Sequence, residues 1–86
     1  MTYRIEYAPA AARALRNLEQ STQRRIMAKL ETLQDNPRPQ SAVKLAGHEA
    51  YRIRIADYRV IYVIADERLV VLVVDIGHRR EIYRHW

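Results

Sequence analysis

The spacing of apolar and polar residues changes several times along the chain, and each change marks a predicted element. Residues 2–7 alternate between apolar and polar side chains, which predicts a half-buried strand. Pro9 suits the first turn of a helix, and an apolar stripe runs through residues 10–18. Gln20-Ser21-Thr22 breaks this stripe and offers capping hydroxyls for a second helix. That helix must stop near Asn36-Pro37, because the residue before a proline avoids helical geometry.

The second half of the chain returns to the spacing of strands. Residues 36–50 contain two prolines and predict an irregular loop, with Val43 and Leu45 packed onto the body. Three further strands are predicted at residues 51–55, 58–65 and 69–76. The last is apolar on both faces, so we expect it inside the sheet. The chain is therefore predicted to be one α+β domain, residues 1–86, in β-α-α-β-β-β order. Its helix hairpin should cover one face of a small, mainly antiparallel four-stranded sheet.

Three arginines should meet on the face that the helices leave open. Arg52 and Arg54 share one face of strand 51–55, and the isoleucines of that strand share the other. With a two- or four-residue loop at Ala56-Asp57, Arg54 faces Arg59 directly across the strand pair. Like charges in that position are destabilising, which favours a polyanion as the partner of this face. A solvated strand face would also explain Arg52 and Arg54, but it explains Arg59 less well.

The composition is compatible with this interpretation. The chain has 15 Lys+Arg against 10 Asp+Glu, a net charge of +5, and arginine is well suited to bidentate phosphate contacts. The chain has no cysteine, which excludes disulfides and thiolate metal sites and fits a cytoplasmic protein. We see no stretch with the length of a signal peptide, and the apolar run at 69–74 is too short to cross a membrane.

Three blocks of sequence resemble a known family. KLAG at 44–47, YRIRIADYRVIYVI at 51–64 and DIGHRREIYR at 75–84 resemble the RelE/ParE superfamily of bacterial and archaeal toxins. The helix hairpin and the strand order agree, so the resemblance covers nearly the whole chain. It implies the toxin of a type II toxin–antitoxin system, with a cognate antitoxin that covers the basic surface or displaces the tail, and a heterotetramer as an expected form of the complex. RelE-type members cut messenger RNA on the ribosome, whereas ParE-type members share the fold and inhibit DNA gyrase.

The resemblance also implies which residues act. RelE-type toxins carry two basic residues on the first meander strand, an arginine on the next, and an arginine and a tyrosine in the tail. The matching residues here are Arg52, Arg54, Arg59, Arg79 and Tyr83. Lysines are the usual residues at the first two positions, and the segment from the tail arginine to the tyrosine is two residues longer in the RelE pattern. RNA-binding roles are expected for Lys44, Arg52, Arg54, Arg80 and Arg84.

This set of residues could cleave RNA without a metal or another cofactor. The three histidines lie in different segments and lack carboxylates at ligand spacing. The 2′-OH of the substrate can itself attack the adjacent phosphate, so the protein must orient the phosphate, stabilise its charge and move protons. We expect Arg52, Arg54 and Arg59 to hold charge, because arginine stays protonated and cannot be the base. His78 is the candidate base, since imidazole readily exchanges a proton near neutral pH.

Other interpretations of the same residues remain open at this point. Tyr83 could be an ordinary packing aromatic and His78 a surface turn residue. A gyrase inhibitor would bind protein and carry out no reaction, and a toxin fold that has lost its activity could still bind an antitoxin or nucleic acid. The complete set of basic residues with Tyr83 favours the endoribonuclease, whereas the absence of lysines at 52 and 54 points modestly towards the gyrase inhibitor.

Overall fold

The computed structural model describes residues 2–78, which fold into two helices packed against one face of a five-stranded mixed sheet. The elements in chain order are β1 (Arg4–Tyr7), α1 (Pro9–Arg16), α2 (Gln20–Glu31), a 3₁₀ turn (Thr32–Gln34), β2 (Val43–Lys44), β3 (Tyr51–Ile55), β4 (Tyr58–Ala65), a second 3₁₀ turn (Asp66–Arg68) and β5 (Val70–His78). The predicted α+β class and the order of the predicted elements are confirmed.

The sheet differs from the prediction by one strand. Its order is β1-β5-β4-β3-β2, with β1 parallel to β5 and the other neighbours antiparallel. The fifth strand, β2, is only two residues long and lies in the segment that we predicted to be irregular. Two residues carry too little alternation to be recognised in a sequence. The apolar β5 lies between β1 and β4, as its composition predicted.

The two helices form the expected hairpin, but α2 starts differently from the prediction. Ser21 and Thr22 lie inside its first turn and do not cap it, and the N-cap residue Glu19 makes no side-chain capping bond. The Nε2 atom of Gln23 instead donates to the carbonyl oxygen of Leu18 (2.8 Å). The α-helix ends at Glu31, and a 3₁₀ turn carries the chain on to Gln34 before the predicted stop at Asn36-Pro37.

The main core lies between the helices and the sheet. Ala11 and Leu15 of α1, with Ile26 and Leu30 of α2, pack against strand residues that share one face. These strand residues are Ile53, Ile55, Val60, Tyr62, Val71, Val73 and Ile76. A smaller apolar cluster on the opposite face joins the 45–50 loop to the sheet through Ala50 and Ile61. Leu45 packs there as predicted, whereas Val43 stays exposed.

Ionic and polar contacts hold the end of the sheet where β1 and β5 begin. The Arg38 guanidinium donates to both carboxylate oxygens of Asp66 (2.8 and 3.2 Å), and the Tyr3 hydroxyl donates to the same carboxylate (2.6 Å). These donors lower the pKa of Asp66 to about 2. Beneath them, the buried Tyr62 hydroxyl donates to the Pro37 carbonyl oxygen (2.8 Å). These contacts tie the segment after α2 to β1 and β4.

Candidate functional site

The three meander arginines lie together on the sheet face opposite the helices. The two-residue turn Ala56-Asp57 makes Arg54 the direct cross-strand partner of Arg59, which confirms the predicted register. Arg52 pairs with Ile61, one row further along the same face. Alternation along each strand turns all three side chains away from the helices. We call Arg52, Arg54 and Arg59 the arginine face.

The members of the arginine face differ in burial. Arg54 is exposed, Arg52 is half-buried, and Arg59 is only 8% exposed, in the middle of the sheet. The prediction of an open face is therefore right for Arg54 and wrong for Arg59, because Arg59 lies between two neighbouring strands. A buried charge is costly unless it is compensated, so Arg59 depends on compensating contacts at this position. Guanidinium groups on a rigid sheet are suited to binding phosphate oxygens.

Strand β5 carries an acidic residue, Asp75, that we did not predict as part of the site. It lies two positions before Gly77, the cross-strand partner of Arg59. Asp75 is half-buried and is the cross-strand partner of Ile61, which places it on the arginine face. A register shift next to Tyr62 leaves Val74 as an extra residue in β5, and this bulge determines the direction of Asp75. The only sequence signal was a single acid within the apolar run LVVLVVDI.

His78 does not lie on the arginine face, contrary to our expectation. It pairs with Tyr58, and Tyr58 packs against the core under the helices. The two rings meet edge to face, with 5.8 Å between their centroids. Gly77, and not His78, is the cross-strand partner of Arg59. Because neighbours along a strand point to opposite faces, His78 points to the face opposite Arg59. The structure therefore separates His78 from the arginines by the thickness of the sheet.

Lys44 is also outside the arginine cluster. It pairs with Tyr51, so the register turns it away from the face that Arg52 occupies. Its ammonium lies 3.5 Å from the exposed carboxylate of Glu49 in the same loop. The remaining predicted site residues are Arg79, Arg80, Tyr83 and Arg84, and they lie outside the residues that the structure describes.

The electrostatics of the site are simple in the part of the chain that the structure describes. Strands β3, β4 and β5 place three arginines and Asp75 on one face. Residues 2–78 contain no group of three or more histidine or acidic side chains that could hold a metal ion. Within the same residues, no helix is both long enough and apolar enough to span a membrane. The guanidinium groups of this arrangement are suited to binding phosphates.

Fold and site together define a small α+β protein with a cationic sheet face. A model of the family described as the ParE toxin of the type II toxin–antitoxin system parDE matches residues 5–83, and the chain belongs to this family. It is a type II toxin, which confirms the resemblance found in the sequence.

Similar proteins carry the name of the other branch of the superfamily. A RelE-like toxin protein of Escherichia coli is 32% identical over 82 residues, which cover 92% of this chain and 85% of the relative. The mRNA interferase toxin RelE of E. coli K12 is 31% identical over 88 residues, 96% of this chain and 92% of that protein. Among solved structures, the archaeal RelE–RelB complex of Pyrococcus horikoshii OT3 contains a chain with a TM-score of 0.82 and 30% identity, matched over 94% of this chain and 99% of that one.

Proposed function

We propose that this toxin is a ribosome-dependent endoribonuclease that cuts messenger RNA in the cytoplasm. The observation that carries the proposal is the direct pairing of Arg54 with Arg59 in the centre of the sheet, with Arg52 in the next row. This pairing gathers positive charge where folding alone would avoid it. The name of the similar E. coli protein, mRNA interferase toxin RelE, supports the same activity.

In the proposed reaction the 2′-OH of one nucleotide attacks the phosphate that follows it. The arginine face orients this phosphate and stabilises the negative charge that grows on its nonbridging oxygens. Cleavage leaves a 2′,3′-cyclic phosphate or 3′-phosphate end and a 5′-OH end. Arg79 is predicted to bind the phosphate or the leaving-group side, and Tyr83 to stack on a base or assist proton transfer. Both roles rest on the resemblance and stay predictions.

A cognate antitoxin is the second proposed partner. RelE of Pyrococcus horikoshii was solved as a complex with RelB. By analogy, an antitoxin segment would cover the arginine face here and block access of RNA to it. Acidic side chains in that segment would meet the exposed Arg54 guanidinium, so the complex should weaken as salt is added.

Inhibition of DNA gyrase is the competing function, and the match to the ParE family favours it. In that case the arginine face would bind an acidic surface of the enzyme, and no phosphate chemistry would take place. Both functions can use a basic face, but only the endoribonuclease produces new RNA ends. A direct test of the reaction products therefore separates them.

The test is to incubate purified ribosomes and a defined message with the toxin and to map the new 5′ ends. Wild-type toxin should give cuts at codon positions. Arg54→Ala should slow cutting about 10²-fold through loss of one charge-stabilising donor. Because Arg54 is exposed, this change should leave the fold intact. Arg59→Ala tests the central arginine in the same way, with its fold checked by thermal unfolding.

The matched control is Arg24→Ala, which removes an equally exposed arginine from α2, a helix on the other side of the sheet. It should cut at the wild-type rate, which excludes a general effect of net charge. If the wild-type toxin makes no cuts and instead blocks DNA supercoiling by gyrase, the proposed function is wrong. If cutting occurs at full rate in both Arg54→Ala and Arg59→Ala, the assigned role of the arginine face is wrong.

A further inference from the structure

The proposed reaction needs a group that accepts the 2′-OH proton, and the arginine face does not supply one. Arginine remains protonated at any physiological pH, so Arg52, Arg54 and Arg59 can only hold charge. His78, the base that the sequence suggested, lies on the helix-covered face. The inference below rests on the proposed function and concerns the same site.

Asp75 is the carboxylate nearest by register to Arg59 in the sheet. In β3, β4 and β5 it is the only carboxylate, and it lies on the face of the three arginines. Its cross-strand partner Ile61 is two residues from Arg59, which makes Asp75 and Arg59 diagonal neighbours. Such neighbours have Cβ atoms roughly 7–8 Å apart. A phosphate held by Arg59 and the ribose attached to it can span this distance.

Asp75 is an unusual residue for its strand. Aspartate is disfavoured in strands, and β5 is a central strand with apolar residues on either side of this one. The carboxylate is half-buried beside the small apolar cluster that Ile61 and Val74 form on this face. A residue that departs from the local preference of its strand is expected at functional sites.

The charged and titratable groups near Asp75 come from each neighbouring element. Arg59 of β4 is nearest by register, and Arg52 and Arg54 of β3 lie one strand further away. On the other side, Glu6 of β1 shares the face but pairs with Leu72, nearer the start of β5. The loop that covers Ile61 and Val74 also carries His48 and Glu49, both exposed. The surroundings are therefore mainly cationic.

We propose that Asp75 is the general base of the cleavage step. Its carboxylate takes the proton from the 2′-OH as the 2′-oxygen forms a bond to phosphorus. The bond between phosphorus and the 5′-oxygen breaks, and that oxygen takes a proton from solvent as it leaves. The products are a 2′,3′-cyclic phosphate and a 5′-OH end, and Asp75 then returns its proton to solvent. No oxidant, metal or further reactant is needed.

The test measures single-turnover cleavage of a message on ribosomes. Asp75→Asn should slow the cleavage step by about 10²-fold or more, the usual contribution of a general base. Asp75→Glu keeps a carboxylate and should recover most of the lost rate.

A binding measurement separates a base from a structural residue. The probe is a message on ribosomes with a 2′-deoxy nucleotide at the cleavage position, which cannot react. Asp75→Asn should bind it as tightly as wild type or more tightly, because a negative charge has been removed from a phosphate site. A structural role predicts weaker binding together with slower cleavage, and that result would overturn the proposal.

Three further outcomes decide the assignment. If wild type cleaves and Asp75→Asn keeps the wild-type cleavage rate, the inference fails while the proposed function stands. If His48→Gln, His78→Gln or Tyr83→Phe slows the cleavage step about 10²-fold and Asp75→Asn does not, Asp75 is not the base and the inference is overturned. If the wild-type toxin produces no new 5′ ends, the proposed function itself has failed.

Discussion

The buried hydroxyl of Tyr62 gives the sharpest prediction about stability. The side chain is 0% exposed, and its hydroxyl donates to the Pro37 carbonyl oxygen at 2.8 Å. Tyr62→Phe removes the hydroxyl donor and leaves the Pro37 carbonyl oxygen without this hydrogen bond. A lost hydrogen bond whose buried partner stays unsatisfied costs about 1–3 kcal/mol. The whole domain should have a free energy of unfolding of about 4–13 kcal/mol, at roughly 0.05–0.15 kcal/mol per residue.

The assay is urea and thermal unfolding of wild type and Tyr62→Phe. At about 4–8 °C per kcal/mol for a domain of this size, the midpoint should fall by about 5–20 °C. The matched control is Tyr51→Phe. Tyr51 stacks on Tyr62 with 5.8 Å between ring centroids, and its hydroxyl accepts a longer bond (3.3 Å) from Arg38 near the surface. That control should lose less than about 1 kcal/mol, because its carbon ring keeps the stacking contact and the bond is partly solvated.

Alkaline pH provides an independent check on the same side chain. Burial disfavours the phenolate and raises the pKa of Tyr62 to about 12. In the unfolded chain the same side chain has the ordinary tyrosine pKa near 10. Its contribution to the free energy of unfolding is therefore complete below pH 10 and is lost as pH rises to 12. The stability difference between wild type and Tyr62→Phe should shrink across that window. An unfolding midpoint that is unchanged by Tyr62→Phe, or a difference that stays constant with pH, would refute the reasoning.

Two smaller predictions concern other parts of the fold. The Asp66 carboxylate accepts hydrogen bonds from Arg38 and Tyr3, which lower its pKa from 3.8 to about 2. Its contribution to the stability of the fold is therefore complete above about pH 4 and is lost as pH falls towards 2. Thermal scans of wild type and Asp66→Asn should converge in that range, and a constant gap would contradict the prediction. Ala56 has φ +55° in the turn between β3 and β4, a conformation that costs a residue with a Cβ about 1 kcal/mol or more. Ala56→Gly should raise the free energy of unfolding, measured by urea denaturation, by up to about 1 kcal/mol, and Ala56→Val, the opposing control, should lower it.

The parts of the fold that the sequence predicted correctly all depend on local patterns. Alternation in residues 51–55 and 58–65, with two turn residues between them, was enough to place Arg54 opposite Arg59. The composition of β5 was enough to place it inside the sheet. A register fixed by a short turn needs no information from distant parts of the chain, so it can be deduced from the sequence.

The parts that could not be predicted depend on contacts between distant segments. The two-residue strand β2 exists because Val43 pairs with Arg52, nine positions later in the chain. Arg59 is buried because β3 and β5 flank β4 on both sides. The contact from Tyr62 to Pro37 joins residues 25 positions apart. None of these has a periodic signal, because each depends on where tertiary packing brings a particular side chain.

The extra residue Val74 in β5 determines which side chains of this strand share a face with the arginines. Counting by strict alternation from Val73, which faces the helices, would turn Asp75 towards the helices and Ile76 towards solvent. The bulge at Val74 shifts the register, so that Ile76 enters the core and Asp75 and Gly77 join Arg59 on the other face. The same shift turns His78 towards Tyr58 and away from the arginines. The bulge therefore places a carboxylate, and not the imidazole that strict alternation predicts, on the face of the arginines.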